Sequence, residues 1–300
     1  MENLERELRA RFGSRLKLNQ PLAPHTSFRI GGPADLMLTV ESEGELCAAL
    51  DAAHRHRVPV FCLGGGTNVL VSDRGMRGLV LKLGPAFARI EIDGARIRAG
   101  GAAIFRALVL TAVEAGLTGL EFAEGIPGTV GGGLLMNAGA FGSEMSAAVA
   151  TVRGVSRTGL SKTLRKDQLR FNYRHAALPE ELVITAVEFA LEPGDKAALR
   201  ARVAELKAKR AARQPAGAPN AGSVFKNPPG LFAARLLEGC GLKNQRSGMA
   251  AFSERHANFI VNLGGAKAAD VRTLIEKAQA TVRAQTGVQL EPEVKLVGEW

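Results

Sequence analysis

Two glycine-dense stretches, each bounded by apolar residues, restrict what this chain can fold into. In the first, an apolar run at Val58–Leu63 enters Gly64-Gly65-Gly66-Thr67-Asn68 directly. In the second, Glu124-Gly-Ile-Pro-Gly-Thr-Val-Gly-Gly-Gly-Leu-Leu-Met-Asn-Ala-Gly-Ala-Phe-Gly142 sets Ile126, Val130, Leu134, Leu135 and Met136 among seven glycines. Glycine makes up 35 of 300 residues, about 12% against a usual share of about 7%, and ten of them cluster in these two stretches. A bare backbone lets another group come close. Successive N–H groups without side chains converge on a diphosphate, and Thr67 and Asn68 add side-chain donors. Taken alone, the triplet fits a tight turn as well as a phosphate cradle. It is neither a Walker A loop, which needs a following Lys-Ser/Thr, nor the GxGxxG that opens a helix. Two such loops together favour a large, flat, phosphate-bearing ligand approached by backbone.

Around these loops the pattern alternates. Apolar runs predict strands at Val58–Leu63, Leu79–Leu83, Ile90–Ile92, Arg96–Ala99, Ala148–Val155 and Leu182–Leu191. Helical spacing predicts helices at Glu43–Arg57 and Ala103–Ala115, the latter stopped by Gly116. After the turn signal Glu192-Pro193-Gly194 comes an amphipathic helix over Lys196–Ala212, with Leu199, Val203 and Leu206 on one side and Arg or Lys on the other. The remainder predicts helices around Gly230–Glu238 and Ala268–Thr286 and strands at Asn258–Leu263 and Val294–Gly298. These elements describe an α+β protein with its main boundary at about residue 195 and a weaker one near Gly75–Gly78.

The length fits roughly two domains of about 150 residues, and 46% apolar against 23% charged residues excludes a disordered chain. The longest apolar stretches, such as Ala107–Val113 and Leu182–Leu191, are far shorter than the roughly 20 residues of a membrane span. Met1–Arg15 has no apolar core of a secretory signal, so a cytoplasmic protein with no membrane insertion is expected. Cys47, Cys62 and Cys240 form no CxxC. None of His25, His54, His56, His175 and His256 has a partner at metal-ligand spacing, so no metal is assigned.

The net charge of +10 is concentrated: Asp195–Arg246 holds eleven Lys or Arg against three acids. With one Tyr and one Trp there is no aromatic interleaving to stack bases. The partner indicated is a phosphorylated or carboxylated small molecule rather than nucleic acid, and Arg200–Arg213 itself reads as a solvated helix face.

Six segments in order carry a family resemblance: His25-Thr-Ser-Phe-Arg-Ile-Gly-Gly-Pro-Ala-Asp35, Leu63–Leu70, Gly125–Gly142, Phe171-Asn-Tyr-Arg174, Ala221-Gly-Ser-Val-Phe-Lys-Asn-Pro228 and Leu290-Glu-Pro-Glu-Val294. Together they resemble the UDP-N-acetylenolpyruvoylglucosamine reductase family. That resemblance implies a two-subdomain FAD-binding region of the vanillyl-alcohol-oxidase (PCMH) type over residues 1–195, divided near residue 77, and a C-terminal α+β substrate domain over 196–300. It implies FAD as cofactor, NADPH as reductant and UDP-N-acetylenolpyruvoylglucosamine as substrate. Hydride passes from flavin N5 to the terminal CH₂ carbon of the enolpyruvyl ether, and a proton is added at the adjacent carbon.

By the same resemblance the cofactor is held by Gly64, Gly65, Gly66, Thr67, Asn68, Gly125, Ile126, Gly128, Gly131, Gly132 and Asn137. Ser223 is the proton donor, with Lys226 or Asn227 polarising it. Arg174 pairs with the substrate carboxylate or enolate oxygens, a task suited to a planar guanidinium, and Glu293 shares a proton with the enol. Tyr173, Lys226 and Asn227 are assigned to substrate. The sequence departs from the family at His175-Ala176, where a small hydroxyl residue is usual two places after the arginine, and at Phe141, where tyrosine is common. The 49 positions from Arg174 to Ser223 resemble the family's shorter form. An FAD-linked oxidase of the same fold and a non-catalytic nucleotide-sugar binder are the competing readings.

Overall fold

The structure, a computed structural model, describes residues 1–215 and 217–300. The chain divides into two compact units, neither continuous in sequence. The first comprises Met1–Leu18, Leu36–Gly65 and Gly78–Arg210, and the second Asn19–Asp35, Gly66–Arg77 and Ala211–Trp300.

The first unit has two apolar cores. One gathers Leu36 and Leu38, the helix Glu43–Arg55 and an N-terminal helix, Glu2–Phe12, whose Leu4, Leu8 and Phe12 are buried. Ser42 starts the helix Glu43–Arg55 by accepting from the Glu45 N–H at 3.2 Å, satisfying one of the amides that a helix start leaves open. Leu46, Ala49, Leu50 and Ala53 then fall on its buried face. Val60–Cys62 lies parallel to Leu79–Leu81, so the strand delivering Gly64 is held on the sheet up to its last turn. The other core is built on an antiparallel five-stranded sheet in the order Ser161–Arg165, Val149–Ser156, Leu182–Ala190, Arg96–Gly100, Ile90–Asp93. Its central strand, Leu182–Ala190, is buried over its first six residues, as the unbroken apolar run predicts. The helix Phe105–Ala115 ends at Gly116, φ +68°, the left-handed stop expected there.

The second unit packs the helix Ala268–Thr286, through Val271, Leu274, Ile275, Ala278 and Val282, with Phe225, Phe252 and Ile260. An antiparallel sheet joins Arg246–Ser247, Ala250–Phe252 and Ile260–Asn262.

The packing units differ from the expected breaks near residues 77 and 195, for local reasons. Gly66–Arg77 is drawn into the second unit because Val69–Val71 pairs in parallel with Lys295–Val297. Asp73 also accepts from the Ala268 and Ala269 N–H groups at 2.8 and 3.0 Å, capping that helix. The helix Lys196–Arg213 stays with the first unit as far as Arg210 because Leu199 enters its core. No described helix is long and apolar enough to cross a membrane.

Candidate active site

The glycines of the two loops have different uses. A Cβ on Gly64 would lie 2.7 Å from Thr129 Oγ1, so the first loop is pressed bare against the residue that opens the second. Gly65 is exposed. In the second loop, a Cβ on Gly131 would stand 3.0 Å from the Gly101 carbonyl, while one on Gly132 would find only Thr129 Oγ1, at 3.4 Å. The short helix Val130–Leu135 has its first amides engaged within the protein. Val130 donates to Ala103 O at 2.8 Å, Gly131 to Gly101 O at 2.9 Å and Gly132 to Thr129 Oγ1 at 3.4 Å. Gly131, buried, is therefore bare for packing within the protein, while exposed Gly132 offers a ligand close approach rather than an open donor. Gly128, φ +109°, gives its carbonyl to the Phe105 N–H, and Ile126 packs on the core.

Beside this loop lies an arginine expected on a solvated helix face. Arg210 is half-buried, and a Cβ on Gly125 would come within 2.7 Å of its Cδ. Its guanidinium stands 5.6 Å from the centre of the Phe141 ring. Burial lowers its pKa, the charge of Glu124 opposes that, and the charge of Arg174 adds to it. Glu124 is 6% exposed. Glu124 Oε2 and Arg210 Nε are both buried without a hydrogen-bond partner. A buried acceptor and a buried donor left open at one loop fit the edge of a flavin ring, which alternates N–H and C=O groups, and on that observation the residues present suit FAD.

Arg174 occupies a hairpin tip in the same unit. Arg170–Asn172 pairs with His175–Ala177, Asn172 opposite His175, leaving Tyr173 and Arg174 as the two-residue turn. Arg174 has φ +58°, a conformation that costs a non-glycine residue about 1–2 kcal/mol and recurs at functional turns. Its guanidinium carbon lies 4.9 Å from the centre of the Tyr173 ring, which is 46% exposed. Asn137, expected at the cofactor, is fully buried with its amide committed elsewhere. Nδ2 donates to Asn172 O at 3.1 Å, and Oδ1 accepts from the Ser146 N–H at 3.0 Å. Its side chain braces the arginine hairpin.

In the second unit Gly66 is buried at φ +62°, and a Cβ there would meet His25 O at 2.1 Å. Thr67 and Asn68 are half-buried. Asn68 Nδ2 donates to the Glu293 carbonyl at 3.2 Å, and its own carbonyl accepts from Lys295 at 3.0 Å. Residues 223–226 run between two other stretches. On one side Ser223 pairs with Phe259, and on the other Phe225 pairs with Pro292. The Glu293 N–H donates to Val224 O at 2.7 Å and the Lys226 N–H to Glu291 O at 2.9 Å. Val224, the residue after Ser223, thus lies opposite Glu293 on an adjoining stretch of chain, and Ser223 and Glu293 are both half-buried. Lys226 Nζ bonds Glu291 at 2.5 Å, and Asn227 Oδ1 accepts from the Ala233 N–H at 3.0 Å, at the start of the helix Ala233–Gly239.

Comparison with known proteins gives concordant matches. A family model described as FAD binding domain matches residues 34–164, and one described as UDP-N-acetylenolpyruvoylglucosamine reductase, C-terminal domain, matches residues 214–297. UDP-N-acetylenolpyruvoylglucosamine reductase 2 of Symbiobacterium thermophilum is 48% identical over 285 residues, covering 95% of this chain and 92% of its own. The reductase of Agathobacter rectalis is 42% identical, covering 94% of each. The crystal structure of the Thermus caldophilus reductase superposes with a TM-score of 0.81 at 36% identity, over 94% of this chain and 97% of its own. An alkyldihydroxyacetonephosphate synthase, at 20% identity and a TM-score of 0.50 over 64% of this chain and 40% of its own, shares the fold.

Proposed function

This chain belongs to the UDP-N-acetylenolpyruvoylglucosamine reductase family of FAD-dependent oxidoreductases, and we propose that Ser223, Arg174 and Glu293 carry its chemistry with NADPH as the reductant. The reaction reduces the enolpyruvyl ether of UDP-N-acetylglucosamine to the lactyl ether of UDP-N-acetylmuramate. Bound FAD supplies the hydride, taken earlier from NADPH. The chain's residues manage charge and proton. Hydride addition at the terminal CH₂ carbon places a pair of electrons on the carbon next to the carboxylate, delocalised as an enolate. Arg174 pairs its guanidinium with those oxygens. Ser223 Oγ–H gives its proton to the carbon, a transfer within reach of a hydroxyl because the acceptor is a strong base. Glu293 shares a proton with the enol oxygen.

The observation that carries this reading is the 2.7 Å bond from the Glu293 N–H to the Val224 carbonyl, since it ties the chain next to Ser223 to the chain that bears Glu293. Gly64, Gly65, Gly66, Thr67, Asn68, Gly125, Ile126, Gly128, Gly131 and Gly132 are proposed to lie along the cofactor, Asn137 to act through the Arg174 hairpin, and Tyr173, Lys226 and Asn227 to face the nucleotide sugar. The functional division proposed is FAD on residues 1–195 and substrate on 196–300, in a cytoplasmic enzyme. Ser223→Ala is the test. Reduction of the bound flavin by NADPH should keep its wild-type rate while turnover of the enolpyruvyl substrate is lost. Equal loss of both steps would refute the role given to Ser223, and a colourless purified protein would favour the non-catalytic binder.

A further inference from the structure

The segment carrying Ser223 is bracketed by one buried side chain that no proposed role uses. Phe225 faces Pro292 in a pair flanked by the bonds of Val224 and Lys226, so its own N–H and C=O point the other way. There no described strand meets them. Asn258, 3% exposed, meets them instead: its Oδ1 accepts from the Phe225 N–H at 2.9 Å, and its Nδ2 donates to the Phe225 carbonyl at 2.8 Å. The Asn258 main-chain carbonyl accepts from the Val224 N–H at 2.8 Å. A side-chain amide has the donor and acceptor of a peptide group, so Asn258 completes the ladder where the backbone gives none. Asn258 is held in turn, its N–H donating to His256 Nδ1 at 3.2 Å.

We infer that Asn258 is a positioning residue for proton delivery, fixing the register of residues 223–226 so that the Ser223 hydroxyl keeps its place. This rests on the proton-donor role proposed for Ser223. A strand slipping by one residue turns every side chain to the opposite face, which would carry the Ser223 hydroxyl away. The two bonds to Phe225 resist that slip from the side opposite Glu293.

Asn258→Asp keeps the size and the acceptor for the Phe225 N–H but puts a second acceptor against the Phe225 carbonyl. The rate of the substrate-reduction step, followed by stopped flow, should fall about 10- to 100-fold, the cost of misplacing a reacting group by roughly 1 Å. Reduction of the flavin by NADPH and the substrate KM should stay within about twofold. Independently of activity, amide hydrogen exchange in residues 223–226 should accelerate in the variant. If Asn258→Asp is recovered without flavin, Asn258→Ser, which leaves room for water at Phe225, carries the same test. Equal loss in both steps, or no loss in either, overturns the inference. Ser223→Ala run alongside separates the two readings. If it retains the substrate step, the role of Ser223 fails and that of Asn258 with it. If it loses the step while Asn258→Asp keeps it, the role of Asn258 alone fails.

Discussion

Three adjacent glycines allow ligand contact and chain packing to be told apart by substitution. Gly66→Ala puts a Cβ 2.1 Å from the His25 carbonyl oxygen and 2.9 Å from Thr26 Cα, both main-chain atoms, at φ +62°. The left-handed conformation costs about 1–2 kcal/mol for a residue with a Cβ, offset by about 0.4–1 kcal/mol from the stiffer unfolded chain. Opening the contact to van der Waals distance takes about 1 Å of backbone movement and stretches the bonds from Ser27 N–H and Oγ to the Gly66 carbonyl, 3.0 and 3.3 Å long. Each is worth about 0.5–1.5 kcal/mol. A net destabilisation of about 2–4 kcal/mol follows, and at about 2–4 °C per kcal/mol for a chain of this order the melting temperature should drop by roughly 4–16 °C. Gly65 is exposed and outside the positive-φ set, so Gly65→Ala should leave the melt of flavin-free protein unchanged or slightly raised while weakening FAD binding. The assay is thermal unfolding of flavin-free protein, with FAD affinity measured by quenching of flavin fluorescence. A Gly66→Ala protein melting within about 1 °C of wild type would refute the packing argument.

Arg210→Gln should destabilise the protein by about 1–3 kcal/mol, less than the figure for a fully buried pair, because it leaves the buried Glu124 carboxylate without its cation. Adding Glu124→Gln should restore at least half of the loss in a urea double-mutant cycle, whereas strict additivity would show that the two charges do not interact. Glu45 has its pKa lowered from 4.5 to about 2, first by the Arg15 guanidinium, which bonds it at 2.7 and 2.8 Å, and then by the Glu41 N–H. Its contribution to stability is therefore complete above about pH 4.5 and is lost as pH falls through about 2. The stability gap between wild type and Glu45→Gln should narrow across that window, and a gap constant from pH 5 to pH 2 would contradict the pairing.

How much of this was legible depends on what a periodicity reports. It gives the face a residue occupies, and so the strand Leu182–Ala190, the helix Ala268–Thr286 and the stop at Gly116 emerge nearly as the spacing predicts. The N-terminal helix was equally visible in the four-residue spacing of Leu4, Leu8 and Phe12. Arg210 carried a signal too. Leu199, Val203 and Leu206 mark a stripe whose next position is residue 210, so a guanidinium there points inward although its helix is basic. Periodicity does not report which distant segment a face meets. Nothing in the sequence says that Asn137 holds the carbonyl before Tyr173, that Asn68 holds that of Glu293, or that Asn258 brackets Phe225.

Those three asparagines share a physical reason for escaping a sequence reading. Each is a short amide acting across a long loop of chain on a main-chain group that a regular ladder would otherwise satisfy, and the need arises only where a ladder is broken. The breaks lie at a two-residue hairpin whose tip is Arg174, at the end of a glycine loop, and on the irregular segment bearing Ser223. Irregular backbone is what presents the candidate catalytic side chains, and irregular backbone must find its hydrogen bonds from side chains. The same residues that make the site available therefore make its supports invisible to pattern. A regular strand through 223–226 would have been easier to read, but it would have turned the Phe225 amide to another strand and left Asn258 no part in holding the segment that bears Ser223.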